Sequence, residues 1–132
     1  MDDIVFISGH LDISKKEWEK HYLPKINEYI TLNYYFLIGD ARGCDKMSMD
    51  YLWGKKVKNV IIYHMFDKPL NNPGYTTIGS FRNHINKDTS MTMNSTRDLA
   101  WVRSEEDSKI LYGKKYKQNR ISGTQQNINR RL

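Results

Sequence analysis

Residues 34–52 read YYFLIGDARGCDKMSMDYL. Tyr35, Phe36, Leu37 and Ile38 form an apolar run that stops at Gly39. Gly39-Asp40-Ala41-Arg42-Gly43 then make a turn, and a helical pattern follows over residues 43–55, stopping near Gly54. A strand, a glycine-bracketed turn and a helix aim unpaired backbone N–H groups at an anion. A second turn of this kind, Ile121-Ser122-Gly123-Thr124, opens the last helix, which runs from about Gly123 to the end. Two such turns on one small sheet point to a nucleotide or a similar phosphorylated ligand.

Outward from this stretch, strands alternate with helices. Ile4–Ser8 is apolar on both faces, as in a buried parallel strand. Ser14-Lys-Lys-Glu17 fits a capping box, and Trp18, Tyr22, Ile26 and Ile30 follow at helical spacing. Pro24 must kink that helix or split it. Further strands are expected at residues 34–38, 59–64 and 98–102, and a helix at His84–Ser95. The segment from Asp67 to Ser80, with Pro69, Pro73-Gly74 and Gly79, reads as a long loop of the kind that serves as a lid or a binding loop. Residues 104–120 leave open a β-hairpin, a mobile flap or disorder. The order predicts one α/β domain over residues 1–132, a Rossmann-like three-layer sandwich with a mostly parallel sheet and an insert at about 104–120. Ligands of such sheets lie beyond the carboxyl ends of the strands.

With 132 residues the chain has room for one ordinary domain. Its longest apolar runs are far too short to span a bilayer, and its start lacks the features of a secretory signal. Cys44 is the only cysteine, which fits a reducing, cytoplasmic setting. The net charge of +6 is uneven. Residues 109–132 hold seven Lys/Arg and no Asp or Glu, which leaves the first 108 residues at −1. That basic block could attract an anionic ligand or nucleic acid, or be a solvated edge. Cys/His clusters with metal spacing are lacking, so no metal and no cofactor is expected.

Ser8-Gly9-His10, Gly39-Asp40-Ala41-Arg42-Gly43-Cys44-Asp45 and Ser122-Gly123-Thr124 resemble three segments of the SLOG superfamily. This Rossmann-like group includes the cytokinin-activating phosphoribohydrolases and many nucleotide-sensing domains. Lys87-Asp88-Thr89-Ser90-Met91 is similar to the family's Arg-Asp-x-x-Met. The resemblance implies a nucleotide-binding domain and a dimer. It also opens an alternative, an N-glycosidase or deoxyribosyltransferase-like enzyme acting on a nucleoside monophosphate. The family's hydrolytic members carry a glutamate in G-G-x-G-T-x-x-E where this chain has Asn127, and Asn can neither accept a proton nor carry negative charge. Lys87 stands where relatives often have Arg, and Arg82 nearby could supply the missing fork.

The candidate ligand site is therefore Ser8, Gly9, His10, Gly39, Asp40, Ala41, Arg42, Gly43, Asp45, Arg82, Lys87, Arg120, Ser122, Gly123, Thr124 and Asn127. Phosphate is expected at Ser122–Thr124. Asp45 is assigned to capping or to ribose hydroxyls, because a carboxylate at a helix start repels phosphate. Met91 could line a base pocket. Cys44 at a helix start is a weak candidate nucleophile. Were the protein an enzyme, Asp40, Asp45 or Asp88 would have to replace the missing glutamate. A basic nucleic-acid-binding module through residues 109–131 is the remaining alternative.

Overall fold

A computed structural model describes residues 3–117 and 121–132. Five parallel strands form one sheet in the order β4-β3-β2-β1-β5. They are β1 (Ile4–Ser8), β2 (Tyr35–Gly39), β3 (Val60–Met65), β4 (Thr76–Phe81) and β5 (Arg97–Ala100). Six helices accompany them: α1 (Lys15–His21), α2 (Leu23–Thr31), α3 (Cys44–Gly54), α4 (His84–Met93), α5 (Glu105–Tyr112) and α6 (Gly123–Arg131). The expected α/β three-layer architecture is present, and every strand pair is parallel.

Strand periodicity sorts the side chains onto two faces. Val5, Ile7, Phe36, Ile38, Val60, Ile62 and Leu99 point to one face. There they pack against Trp18, Tyr22, Ile26 and Tyr29 of the α1–α2 pair and Met49 and Leu52 of α3. Phe6, Leu37 and Tyr63 point to the other face, where Met91 of α4 covers them. Ser8 and Gly39 continue the rows of Phe6 and Leu37, so this second face carries on to the carboxyl edge of the sheet.

The capping box at Ser14 forms, with Ser14 Oγ accepting from the Glu17 N–H and Glu17 Oε1 accepting from the Ser14 N–H. Pro24 splits the segment into α1 and α2 by sitting in the first turn of α2, where its missing N–H is no loss. Tyr22, fully buried at the junction, donates to the Ser8 carbonyl at 2.7 Å and accepts from the Trp101 N–H at 2.9 Å. One hydroxyl thus joins the carboxyl ends of β1 and β5.

Two expected irregular segments are regular. Residues 76–81 are strand β4 at the sheet edge, so the long loop ends at Tyr75. Gly79 is there because a Cβ would lie 2.1 Å from Cε1 of the buried His64 ring; it marks a close approach and not a break. The 104–120 insert contains helix α5 and a short 3₁₀ turn over Gly113–Lys115, rather than a hairpin or flap. Ser104 caps α5 by accepting from the Asp107 N–H, and Glu105, Glu106 and Asp107 suit the positive end of the helix dipole. Gly113, at φ 54°, ends the helix.

Candidate functional site

The strand order reverses at β1: β2, β3 and β4 lie on one side of it, and β5 on the other. Chain segments leaving the strands diverge at such a point and open a crevice. An open cleft of about 890 Å³ occupies it, between the carboxyl ends of β1, β2 and β5, the first turns of α3 and α4, α5, and the start of α6. Ser8, Gly9 and His10 lie along it, as do Gly39, Ala41, Arg42 and Asp45. Ser122, Gly123, Thr124 and Asn127 face it from α6, and Lys87, Asp88 and Met91 from α4. The two glycine-containing turns therefore meet on one cleft.

Three expected residues stand apart from it. Asp40 is 5% exposed and its Oδ2 accepts from the Leu70 N–H at 2.8 Å, while its carbonyl accepts from Asn71 Nδ2 at 3.0 Å. It ties the β3–β4 loop down and does not line the cleft. Gly43, at φ 75°, is a packing glycine: a Cβ there would fall 2.4 Å from the Leu11 carbonyl oxygen and 2.6 Å from that of His10. Its role is to let the second turn lie against the first. Arg82 is exposed and outside the cleft. Arg120 lies outside the described residues. The β3–β4 loop contributes no residue to the cleft and packs instead near Trp53, whose ring a Cβ on Gly74 would meet at 2.7 Å. It is no lid for this site.

The floor combines apolar and polar groups. Phe6 and Met91 are buried beneath it, and Ile85 and Ile121 are exposed at its rim. Ser8 is 6% exposed, and its Oγ has no hydrogen-bond partner among the described residues. An orphaned buried hydroxyl in a cleft wall asks for a partner from outside the chain. Lys87 is 5% exposed, and its Nζ has Asp88 at 3.6 Å and no hydrogen bond among the described residues. At the start of α6, Ser122 Oγ takes the Gln125 N–H at 3.0 Å, leaving the N–H groups of Gly123 and Thr124 for another acceptor. Asn127 is buried and accepts from Arg130, so its amide is held in place.

Asp45 is the most perturbed acid of the cleft. Its Oδ2 accepts from the Ala41 N–H at 3.3 Å, so it closes its own turn rather than capping α3. A Cβ on Gly39 would stand 2.7 Å from Asp45 Oδ2 and 3.2 Å from Lys87 Nζ; the bare glycine lets both groups crowd the same spot. Desolvation pushes the Asp45 carboxyl up to about 7, with Lys87 and the Ala41 N–H opposing, and Asp88 and Asp40 adding to the rise. Cys44 is fully buried under Gly9, and burial pushes its thiol up, so it is no nucleophile.

His10 is a local organiser. Its Nε2 accepts from the Arg103 N–H at 2.9 Å, which puts the ring proton on Nδ1. Desolvation and then Arg103 lower its pKa, keeping it neutral. Sequence reasoning missed Arg103 itself. Its guanidinium, 2% exposed, grips Glu17 through Nε and Nη2 at 3.1 Å each and Asp12 through Nη1 at 3.2 Å. Tyr112 of α5 donates to Asp12 and accepts from Arg103, so this cluster fastens α5 beside the cleft. The partners are 86 and 91 residues away, and no local pattern encodes that.

Comparison of the chain with protein-family models, curated sequences and solved structures finds no match. Among the described residues no group of three or more His, Cys, Asp or Glu could hold a metal ion, and no helix is long and apolar enough to cross a membrane.

Proposed function

We propose that the protein binds a nucleotide or nucleotide-derived ligand in the cleft beyond β1, β2 and β5, through its phosphate. The observation that carries this is the meeting, in one cleft, of a buried lysine and a buried hydroxyl that have no hydrogen bond among the described residues, and the N–H groups of a helix start. A cationic point charge and convergent N–H donors suit a phosphate. The exposed apolar side chains of Ile85 and Ile121 at the rim suit a flat base, and about 890 Å³ is within the usual range of ligand sites. Calorimetry and thermal shift against a panel containing AMP, cyclic nucleotides and ADP-ribose test the reading. A ligand at a hundred times its Kd stabilises the fold by about 2.7 kcal/mol. The shift should vanish in Lys87→Met. A panel without a hit at millimolar concentration overturns the proposal.

One observation favours a second reading, an N-glycosidase or deoxyribosyltransferase-like enzyme acting on a nucleoside monophosphate. Asp45 faces the cleft, and desolvation pushes its carboxyl up to about 7, toward the range in which a carboxyl serves as general acid or base. Of the candidate acids, Asp40 is engaged elsewhere and Asp88 sits beside Lys87, which leaves Asp45 as the group to test. Free base released from a nucleotide and abolished in Asp45→Asn supports this reading; turnover unchanged in that variant removes it.

A further inference from the structure

We propose that Asp45 and Lys87 make anion binding in this cleft proton-linked: the anion enters as Asp45 takes up a proton, Lys87 supplies the charge, and the Asp45 carboxyl donates a hydrogen bond to an anion oxygen. The inference rests on the phosphate-binding reading above and adds which group gates it. Its basis is geometric. Asp45 and Lys87 come from different elements, α3 and α4, and both crowd the space left by the missing side chain of Gly39. Ionised, Asp45 adds a negative charge near Lys87, beyond the Asp88 carboxylate 3.6 Å from its Nζ, and repels an arriving anion. Protonated, it removes one of the negative charges facing Lys87, leaving Asp88 at 3.6 Å, and turns one acceptor into a donor.

The surroundings hold the carboxyl near the point where either state is accessible. Lys87 and Asp88 face it from α4, Cys44 and Tyr22 from its own helix and the α1–α2 junction, and Asp40, turned to the Leu70 N–H, acts on it by charge alone from the end of β2. The Cys44 thiol and the Tyr22 phenol are both pushed up by burial and stay neutral, so they add no charge. The single cation is opposed by two further acids, and the carboxyl lies at about 7. Among the described residues its one hydrogen bond is from the Ala41 N–H, to Oδ2. Its other oxygen has no partner among the described residues.

The size of the effect follows from that value. If only the protonated form admits the anion, the apparent Kd grows about tenfold between pH 6 and pH 8, since the competent fraction falls from about nine-tenths to about one-tenth. The probes are sulfate and ADP-ribose, neither of which changes its own charge over that interval. Calorimetry in two buffers of different ionisation enthalpy counts the protons taken up. The expected result is a tenfold weakening from pH 6 to pH 8 with close to one proton taken up at pH 8. In Asp45→Asn, which keeps a neutral donor, binding should be flat with pH and at pH 8 about as tight as wild-type binding at pH 6. Binding that is present but independent of pH in the wild type overturns this inference and leaves the phosphate reading standing. An equal pH response in Asp45→Asn assigns the proton elsewhere and overturns it too. No binding of either probe at any pH overturns both.

Discussion

Replacing Arg103 with methionine removes the one cation that holds Glu17 and Asp12 together while keeping an apolar stem against Trp101, over which the guanidinium lies at 5.7 Å. The Glu17 carboxyl, held mainly by its hydrogen bonds from Arg103, is depressed to about 2 from an ordinary 4.5. By linkage that difference corresponds to about 3 kcal/mol, of which the Ser14 contacts supply a part. Breaking a buried pair costs about 3–5 kcal/mol, but the side chains of Glu17 and Asp12 are 29% and 40% exposed and can rehydrate. The expected loss is therefore about 2–3 kcal/mol at neutral pH, read as a fall in the urea midpoint at unchanged slope. The pH dependence has a definite sign. A carboxyl with a depressed folded pKa stabilises above its unfolded value and loses that contribution as pH falls through the folded one. The gap between wild type and variant should thus be full above about pH 4.5 and close as pH approaches about 2. A loss under about 1 kcal/mol, or one that stays constant down to the acid limit, refutes the assignment of Arg103 as the fastener of α5.

Gly43→Ala puts a Cβ at φ 75° and 2.4 Å from a backbone oxygen, and should cost about 3 kcal/mol in urea unfolding; a neutral substitution would show that the two turns do not touch. Asp40→Ala releases the Leu70 N–H, so limited proteolysis should cut within residues 66–75 faster than in wild type while ligand affinity stays within about twofold. Ser122→Ala loses the cap on the Gln125 N–H and should cost about 1 kcal/mol. Gly39→Ala should leave the fold intact by circular dichroism yet weaken anion binding at least tenfold, because its methyl group displaces Asp45 and Lys87.

The layer order was legible because local signals agreed with it. Apolar runs marked β1, β2 and β3, the Ser14–Glu17 box marked α1, and Pro24 marked the division from α2. Strand β4 was missed because Gly79 looks like a loop residue until the His64 ring beside it is seen. Helix α5 was missed although Ser104-x-x-Asp107 is a capping signature, because Lys-rich, polar residues follow it. In the site, glycines and a Ser-Gly-Thr turn announce where backbone N–H groups gather. They cannot say that Asp40 turns away to Leu70, nor that Lys87 is buried beside Asp45, since both depend on packing between distant elements.

Amide chemical-shift mapping during titration with ADP-ribose addresses the central claim most directly. The account predicts that the N–H signals of Ala41, Gly123 and Thr124 move together, with one midpoint, and that Lys87→Met abolishes all three movements. Shifts confined to the lysines of residues 109–117, or movement at Ala41 without movement at Gly123 and Thr124, would contradict it.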